Sequence, residues 1–555
     1  MGGCIGTSRG VNRGSRMVTS ATTEPLLRDT EREAVSTLLR YLEQEGSTSS
    51  TISDDRLLSL CTLAYSENID LQRSAALCFS ELSERLTEPI SEGVLEPLIN
   101  LLLSSDIDVQ KSSSLAISNI ALHGPPENKA VLVEAGALRP LIVLLSSDCP
   151  EVQCNACGCI TTLATSERNK SEIVRQGAVG PLLNLTKSHD GRVQRNAAGA
   201  LLNLTHIDSN RQTLVSSGAV PVFVHLLESS DEDVRFYSAA ALSNIAVHES
   251  HRKEIMSVKN GRVVTSLISL MESESEKVKC QACLAVRNLA SEEENQKLIV
   301  DFGGLVALCP LVRSSNAETV TAAVAAVRNL SIHRENAEVI VSSGILKDLG
   351  TLVSQQDHPE IQCHAAGTLR NLAAEEQSQA IVAAGCLVGL ADQLRNSRNV
   401  PELVLSEVSA ALAVLASDAS ARRQIMELYG GNFHKVLLTL TESSYSEVQY
   451  NCAGVIGHLA ISEEYHTALL ETRPSAVDFL ERFLNAGESS FVHIALWILA
   501  QFSNGGKNTR EVLRRSSLFS MVEQLKTSRN SIEVTQLAET SFNNLKDSPG
   551  TSVLS

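Results

Sequence analysis

The sequence predicts an all-α solenoid, a stack of helical repeats that runs along most of a 555-residue chain. A twelve-residue pattern recurs, as in VQRNAAGALLNL from Val193, VKCQACLAVRNL from Val278 and IQCHAAGTLRNL from Ile361. Its first position, the anchor, repeats at intervals of roughly 42 residues, a period typical of helical repeats. The twelve anchors are Leu71, Val109, Val152, Val193, Val234, Val278, Thr319, Ile361, Val404, Val448, Phe491 and Val534.

Each repeat contains two shorter helices and one longer helix. In residues 128–164, NKAVLVEAG stops at Gly136, because glycine enters the left-handed region without a Cβ clash. ALRPLIVLL predicts a second helix, and a third begins at Val152. The same stop is predicted at Gly177, Gly218, Gly304, Gly344 and Gly385. This order favours a right-handed armadillo-repeat superhelix of about twelve repeats over two-helix HEAT repeats.

The two ends of the chain differ from the repeats. Residues 1–30 are rich in Ser, Thr and Gly and are predicted to be disordered. Residues 31–56 contain the amphipathic helix EREAVSTLLRYLE, placed to cap the first apolar face, and then a flexible linker. Residues 57–546 hold the repeats, and the polar tail 547–555 is predicted to be disordered.

The first residues, MGGCIGT, suggest a lipid anchor. Gly2 is the position that can take a myristoyl group after removal of Met1. One myristoyl chain binds a bilayer only marginally, so a second signal is needed, and Cys4 offers a site for palmitate. The alternative is an ordinary flexible N-terminus.

The position ten residues after the anchor predicts a partner-binding groove. Third helices line the concave face of an armadillo stack, and five successive repeats carry an asparagine there. An asparagine amide offers a donor and an acceptor to the backbone of an extended peptide. In the alternative interpretation, each amide bonds a neighbouring helix end. The five residues are Asn203, Asn244, Asn288, Asn329 and Asn371.

The preceding position carries arginine in three successive repeats, at Arg287, Arg328 and Arg370. Three aligned guanidinium groups suit a ligand with spaced carboxylates or well-placed backbone carbonyls. The alternative is that each arginine pairs with acids of its own repeat, such as those in residues 292–294. Either way, the three arginines belong to the predicted groove.

Several classes of function are disfavoured. A net charge of −17 argues against nucleic-acid binding, which needs a basic surface. The cysteines of residues 154–159 and 280–283 lack the ligand sets of a zinc site and are expected to be buried thiols, so we predict no metal and no cofactor. Neither a phosphate-binding glycine loop nor a nucleophile elbow is present, which predicts that the chain is not an enzyme. No apolar run is long enough to span a membrane.

A resemblance to a known family rests on the Gly-x-Cys start and on the segments LQRSAAL, VQCNACGCITTLAT, VQRNAAGALLNLTH, VKCQACLAVRNLAS and IQCHAAGTLRNLAA. The chain resembles the fungal vacuolar protein 8 family, armadillo-repeat proteins of the vacuole membrane. The resemblance implies myristate on Gly2, palmitate on Cys4 and a location on the cytosolic face of the vacuole. It also implies that Arg287, Arg328 and Arg370 form the basic triad of the groove.

The resemblance further implies a scaffold for nucleus–vacuole junctions, autophagy, vacuole inheritance and vacuole fusion. The implied partners are segments of an outer nuclear membrane protein, an autophagy kinase-complex subunit and the myosin adaptor for vacuole inheritance. Self-association into a homo-oligomer is also possible. The alternative is a soluble armadillo adaptor or a nuclear-import-type receptor. An import receptor would carry a tryptophan beside each groove asparagine, whereas the sequence contains Trp497 alone.

Overall fold

A computed structural model describes residues 27–44, 54–85, 88–355, 357–527 and 532–546. These residues form helices and turns, with no strand among them. The chain divides into two compact units, Met1–Asn169 and Lys170–Ser555, and the division falls within one helix. The predicted lipidation sites Gly2 and Cys4 lie outside the described residues.

The helices follow the predicted order of two shorter helices and one longer helix. The first are α1 (Asp29–Gln44), α2 (Asp54–Ala64), α3 (Ile69–Ser83), α4 (Glu92–Leu102), α5 (Ile107–His123), α6 (Asn128–Glu134), α7 (Leu138–Leu144), α8 (Pro150–Leu163), α9 (Glu167–Arg175), α10 (Val179–Leu185), α11 (Gly191–Leu204), α12 (Asp208–Ser216), α13 (Ala219–Leu226), α14 (Glu232–Ile245), α15 (Glu249–Ser257), α16 (Arg262–Met271), α17 (Glu276–Leu289) and α18 (Glu293–Asp301). The rest are α19 (Gly304–Leu311), α20 (Ala317–Leu330), α21 (Asn336–Ser342), α22 (Leu346–Val353), α23 (Pro359–Ala374), α24 (Ser378–Ala383), α25 (Cys386–Arg395), α26 (Glu402–Leu415), α27 (Ala419–Gly431), α28 (Phe433–Leu440), α29 (Ser446–Leu459), α30 (His466–Glu471), α31 (Ala476–Leu484), α32 (Ser489–Ser503), α33 (Lys507–Arg515), α34 (Leu518–Thr527) and α35 (Ile532–Lys546).

Third helices are the structural core of each unit. Every anchor lies on one of them and is buried, with at most 8% of its surface exposed. Consecutive third helices pack against each other, as α14 does on α17 and α23 on α26. Several begin after an acidic N-cap: Asp106, Asp190 and Asp231 accept backbone N–H groups of the first turns of α5, α11 and α14. The predicted all-α fold of armadillo type is therefore confirmed.

Left-handed glycines end the first helices, as predicted at four of the five further positions. Gly136 has φ +89° and Gly177 has φ +87°, with equivalent values at Gly218, Gly344 and Gly385. The prediction for Gly304 is wrong, because the left-handed residue is Gly303, at φ +87°. Gly304 starts α19 instead, where a Cβ would lie 2.7 Å from the carbonyl oxygen of Ile299.

Buried asparagines of the first helices join one repeat to the one before it. Asn336 on α21 donates to the carbonyl oxygen of Gln296 on α18 at 3.1 Å and to that of Leu330 at the end of α20 at 2.9 Å. Asn295 makes the equivalent bond to Leu289 at 3.0 Å. The bonds to Leu330 and Leu289, the last residues of α20 and α17, satisfy carbonyl groups that a helix end leaves open. The sequence interpretation did not include these residues, although Asn recurs in NKAV, RNKS, SNRQ, ENQK and ENAE.

Candidate partner-binding surface on the third helices

All five predicted groove asparagines lie in the last turns of the third helices α11, α14, α17, α20 and α23, and all are half-buried. We call these asparagines and the three predicted arginines the third-helix face. The amide nitrogen of Asn288 donates to the carbonyl oxygen of Ser243 at 2.8 Å. That of Asn329 donates to the carbonyl oxygen of Arg287, also at 2.8 Å. Each amide therefore joins its helix to the end of the preceding third helix.

The same arrangement holds on either side of these two asparagines. Asn371 donates to the carbonyl oxygen of Arg328 at 3.3 Å and to the hydroxyl of Ser331 at 3.1 Å. Asn244 donates to the hydroxyl of Thr205 at 2.9 Å. The amide nitrogens of these residues thus follow the structural alternative, in which asparagine bonds a neighbouring helix end.

The amide oxygens have a different environment. No described residue donates to Oδ1 of Asn244, Asn329 or Asn371. In Asn288, Oδ1 accepts from Nε and Nη2 of Arg287 at 3.1 and 3.0 Å. A row of three acceptors therefore remains for the N–H groups of a bound chain. Three of the five predicted asparagines therefore offer an acceptor to a bound chain.

The three arginines do not share one environment. Among the described residues, Arg287 has its guanidinium partner in the neutral Asn288. Arg328 Nη2 donates to Glu407 Oε1 at 2.6 Å, and Arg370 Nη1 donates to Glu407 Oε2 at 2.9 Å. Glu407, on α26, therefore bridges two neighbouring repeats through one carboxylate. Its side chain is 14% exposed, against 25% for Arg328 and 33% for Arg370.

Gly367 makes the position of Arg328 possible. A Cβ built on Gly367 would lie 2.6 Å from Nε and 2.8 Å from Cζ of Arg328, so any other residue would displace the guanidinium. The alternative prediction, that the arginines pair with acids of their own repeats such as those in residues 292–294, is wrong for Arg328 and Arg370, which pair with Glu407. Glu292 bonds Arg252, not an arginine of the face. The acid that pairs lies one or two repeats further along the chain.

His364 lies among these charges on α23. Burial, and then the positive charges of Arg328 and Arg287, lowers the pKa of His364 to about 4. Its Nδ1 is buried and has no partner among the described residues. At neutral pH the imidazole is uncharged, so three arginines and one glutamate leave a net charge of +2 on this part of the face.

The cysteine-rich third helices are built as apolar packing. Cys157, Cys159 and Cys283 are buried, and burial raises the pKa of Cys159 to about 12. Within the described ranges, no group of three His, Cys, Asp or Glu side chains is placed to hold a metal ion. In that same part of the chain, no helix combines the length and apolarity needed to cross a bilayer.

Comparison with known proteins agrees with this construction. The Armadillo/beta-catenin-like repeat family matches residues 90–122, 125–165, 166–206, 208–247, 262–291, 292–332 and 333–374. The fold is that of an armadillo-repeat protein. A solved structure from a study of the interaction between cadherin and beta-catenin covers 88% of the chain and all of its own, at a TM-score of 0.72 and 17% identity. An engineered protein covers 82% of the chain and all of its own, at a TM-score of 0.64 and 28% identity.

Sequence relatives are fungal proteins named vacuolar protein 8. The Yarrowia lipolytica protein is 46% identical over 112 residues, which cover 20% of this chain and 19% of that protein. The Gibberella zeae protein is 58% identical over 62 residues, 11% of each chain, and the Schizosaccharomyces pombe protein is 44% identical over 119 residues, 21% of each. The aligned segments span about a fifth or less of these relatives. The predicted resemblance is confirmed.

Proposed function

We propose that this chain is an armadillo scaffold that holds extended segments of partner proteins on its third-helix face. The observation that carries the proposal is the row of free amide oxygens on Asn244, Asn329 and Asn371, flanked by half-buried arginines. An extended peptide exposes an N–H and a C=O at every residue, and it finds acceptors and donors side by side on this face. Such recognition depends on the main chain and accommodates several partners.

The proposed location is the cytosolic face of the vacuole membrane. The names of the relatives support a vacuolar location, and Gly2 with Cys4 supplies the two acyl sites that stable attachment requires. The proposed roles follow from the resemblance: nucleus–vacuole junctions, autophagy, vacuole inheritance and vacuole fusion. The partners would be segments of an outer nuclear membrane protein, an autophagy kinase-complex subunit and a myosin adaptor.

The proposal includes no catalytic step. The buried thiols have raised pKa values, and the amide nitrogens of Asn288 and Asn329 are used in hydrogen bonds between repeats. A soluble armadillo adaptor or an import-type receptor remains the second candidate. This second candidate would not be attached to a membrane. A soluble distribution of the chain that is unchanged by Gly2→Ala would favour it.

A peptide selection followed by cross-linking tests the binding function. The full chain is used to select from a random linear peptide library, and a benzophenone is then placed in an enriched peptide. We expect cross-links to map to the last turns of α17, α20 and α23. Cross-links that map to the first helices α18 and α21, or a failure to enrich any peptide, would contradict the proposed function.

A further inference from the structure

Glu407 is an acidic residue inside a row of arginines. It lies on α26, three residues after the anchor Val404, and one carboxylate oxygen accepts from each of Arg328 and Arg370. In every other repeat of the second unit, the residue three positions after the anchor is neutral or is a histidine. Those residues are Asn196, Tyr237, Gln281, Ala322, His364, Asn451, Ile494 and Leu537. The repeat fold therefore does not require an acid at this position.

This carboxylate occupies the place at which a ligand carboxylate would bind. A guanidinium pairs best with a carboxylate through two parallel N–H groups. Arg328 and Arg370 each give Glu407 one N–H, at 2.6 and 2.9 Å, and each guanidinium has five. The remaining N–H groups of the two guanidinium groups can still donate hydrogen bonds. The net charge of the pair is halved, because the negative charge of Glu407 cancels one of the two positive charges. A carboxylate brought to this position would also meet a like charge that is only 14% exposed.

Arg287 offers the opposite environment. Its partner Asn288 is neutral, so its charge is not cancelled. His364, a titratable group that faces these arginines, is uncharged at neutral pH because burial and the neighbouring arginines lower its pKa. The thiol of Cys363, beside Arg328 and Glu407, is also uncharged, because burial raises its pKa to about 11. The three arginines therefore form two kinds of subsite: one at Arg287, whose charge has no carboxylate partner, and a donor-rich one at Arg328 and Arg370, where Glu407 already occupies the carboxylate position and reduces the charge to +1.

We propose that Glu407 sets the charge specificity of the third-helix face. The Arg328–Arg370 subsite takes main-chain carbonyl groups of a partner segment and disfavours Asp and Glu, whereas an acidic side chain is accepted beside Arg287. The ligand class is thus an extended segment with an acidic residue at one end and neutral residues at the other. This inference rests on the proposed peptide-binding function and narrows its substrate class.

The test compares peptide selections on the wild-type chain and on Glu407→Gln. Glutamine keeps the size of the side chain and one acceptor oxygen but removes the charge. We expect the frequency of Asp and Glu in enriched peptides to rise at least threefold on Glu407→Gln. The matched control is Glu447→Gln on α29, which removes an exposed carboxylate bonded to Ser406 outside the row. An unchanged Asp and Glu frequency on Glu407→Gln would overturn the inference and leave the proposed function standing.

A second measurement uses the wild-type chain alone and therefore does not depend on the folding of the variant. An enriched peptide is synthesised with Asp at each position in turn, and its affinity is measured by fluorescence anisotropy. We expect Asp to weaken binding at least tenfold at positions that cross-link near Arg328 and Arg370, and less than twofold near Arg287. Equal tolerance at both ends would overturn the inference. A wild-type chain that enriches no peptide would overturn the proposed function and this inference with it.

Discussion

At the residue scale, the bridge from Arg328 through Glu407 to Arg370 links binding to stability. Replacing both arginines by alanine leaves a carboxylate that is 14% exposed without its partners. Because an unpaired buried charge is costly, we expect R328A/R370A to lose about 2–4 kcal/mol of folding free energy. The further substitution Glu407→Gln should restore most of the loss. Urea unfolding of the three chains measures this, and equal midpoints for R328A/R370A and wild type would show that the bridge is not structural.

His364 predicts a pH effect of definite sign. Its folded-state pKa is lowered to about 4, whereas an unfolded histidine titrates near pH 6.5. Between these values the unfolded chain binds a proton that the folded chain does not, so stability falls as the pH falls through this window. We expect His364→Gln to reduce the drop in melting temperature between pH 7 and pH 5. His189→Gln, which replaces an exposed histidine, is the control and should leave the drop unchanged.

The sequence could identify the arginine row but not the partners of its members. The period places Arg287, Arg328 and Arg370 at equivalent positions, because equivalent residues in stacked repeats share one face. Glu407 is 79 residues from Arg328 and 37 from Arg370, and such contacts depend on side-chain rotamers and on how far each helix turns against the next. The sequence did contain a signal, an acid at a position that is otherwise neutral.

At the element scale, a turn glycine and a helix glycine of the same repeat predict opposite effects of substitution by alanine. Gly177 has φ +87° with no atom within 4 Å of a built Cβ, so alanine would suffer only backbone strain. We expect Gly177→Ala to destabilise by about 1 kcal/mol. Gly180 lies in α10 with equally open space, and Gly180→Ala should stabilise by a few tenths to about 1 kcal/mol because alanine favours helix. Thermal melts that shift in the same direction for both would contradict the assignment of these turns.

Helix boundaries could be predicted where only one residue near the turn can readily adopt a positive φ. Third helices were found from their buried anchors and small residues, and most turns were found from a single glycine. The pair Gly303–Gly304 gave the wrong turn residue, because either glycine can adopt a positive φ. The choice depends on Ile299, whose carbonyl oxygen comes close enough to α19 to require glycine at position 304. Such a close approach is a property of packing and has no local signature.

At the scale of the whole molecule, we expect membrane attachment and partner binding to be separable. Gly2→Ala should release the chain from membranes, because palmitoylation normally follows myristoylation at the bilayer, and Cys4→Ser should give weaker, reversible attachment. Fractionation of fluorescent C-terminal fusions measures both. In vitro peptide binding by Gly2→Ala should equal that of the wild type. Gly2→Ala protein that stays wholly with membranes would show that myristate is not the anchor.

The period alone predicted the architecture, since a repeat that buries its apolar face against its neighbours leaves a regular trace in the sequence. The N-terminal segment has no such regularity, so its lipidation remains a prediction from a short motif. The recurrence of Asn also indicated a shared face. It did not indicate which amide atoms that face offers to a ligand, because the sequence does not show whether the nitrogen or the oxygen of an amide is bonded within the fold. The structure assigns the nitrogens of Asn288 and Asn329 to the neighbouring helix.

The central claim is that the third-helix face binds extended segments, and calorimetric titration of an enriched peptide tests it most directly. The variant is R287A/R328A/R370A/E407Q, in which no carboxylate is left without its partners. Because each charge-assisted contact contributes roughly 1.5–3 kcal/mol, we expect affinity to fall by about three orders of magnitude or more while the melting temperature stays close to that of the wild type. Equal affinity for the wild type and the variant, at equal melting temperatures, would contradict the account.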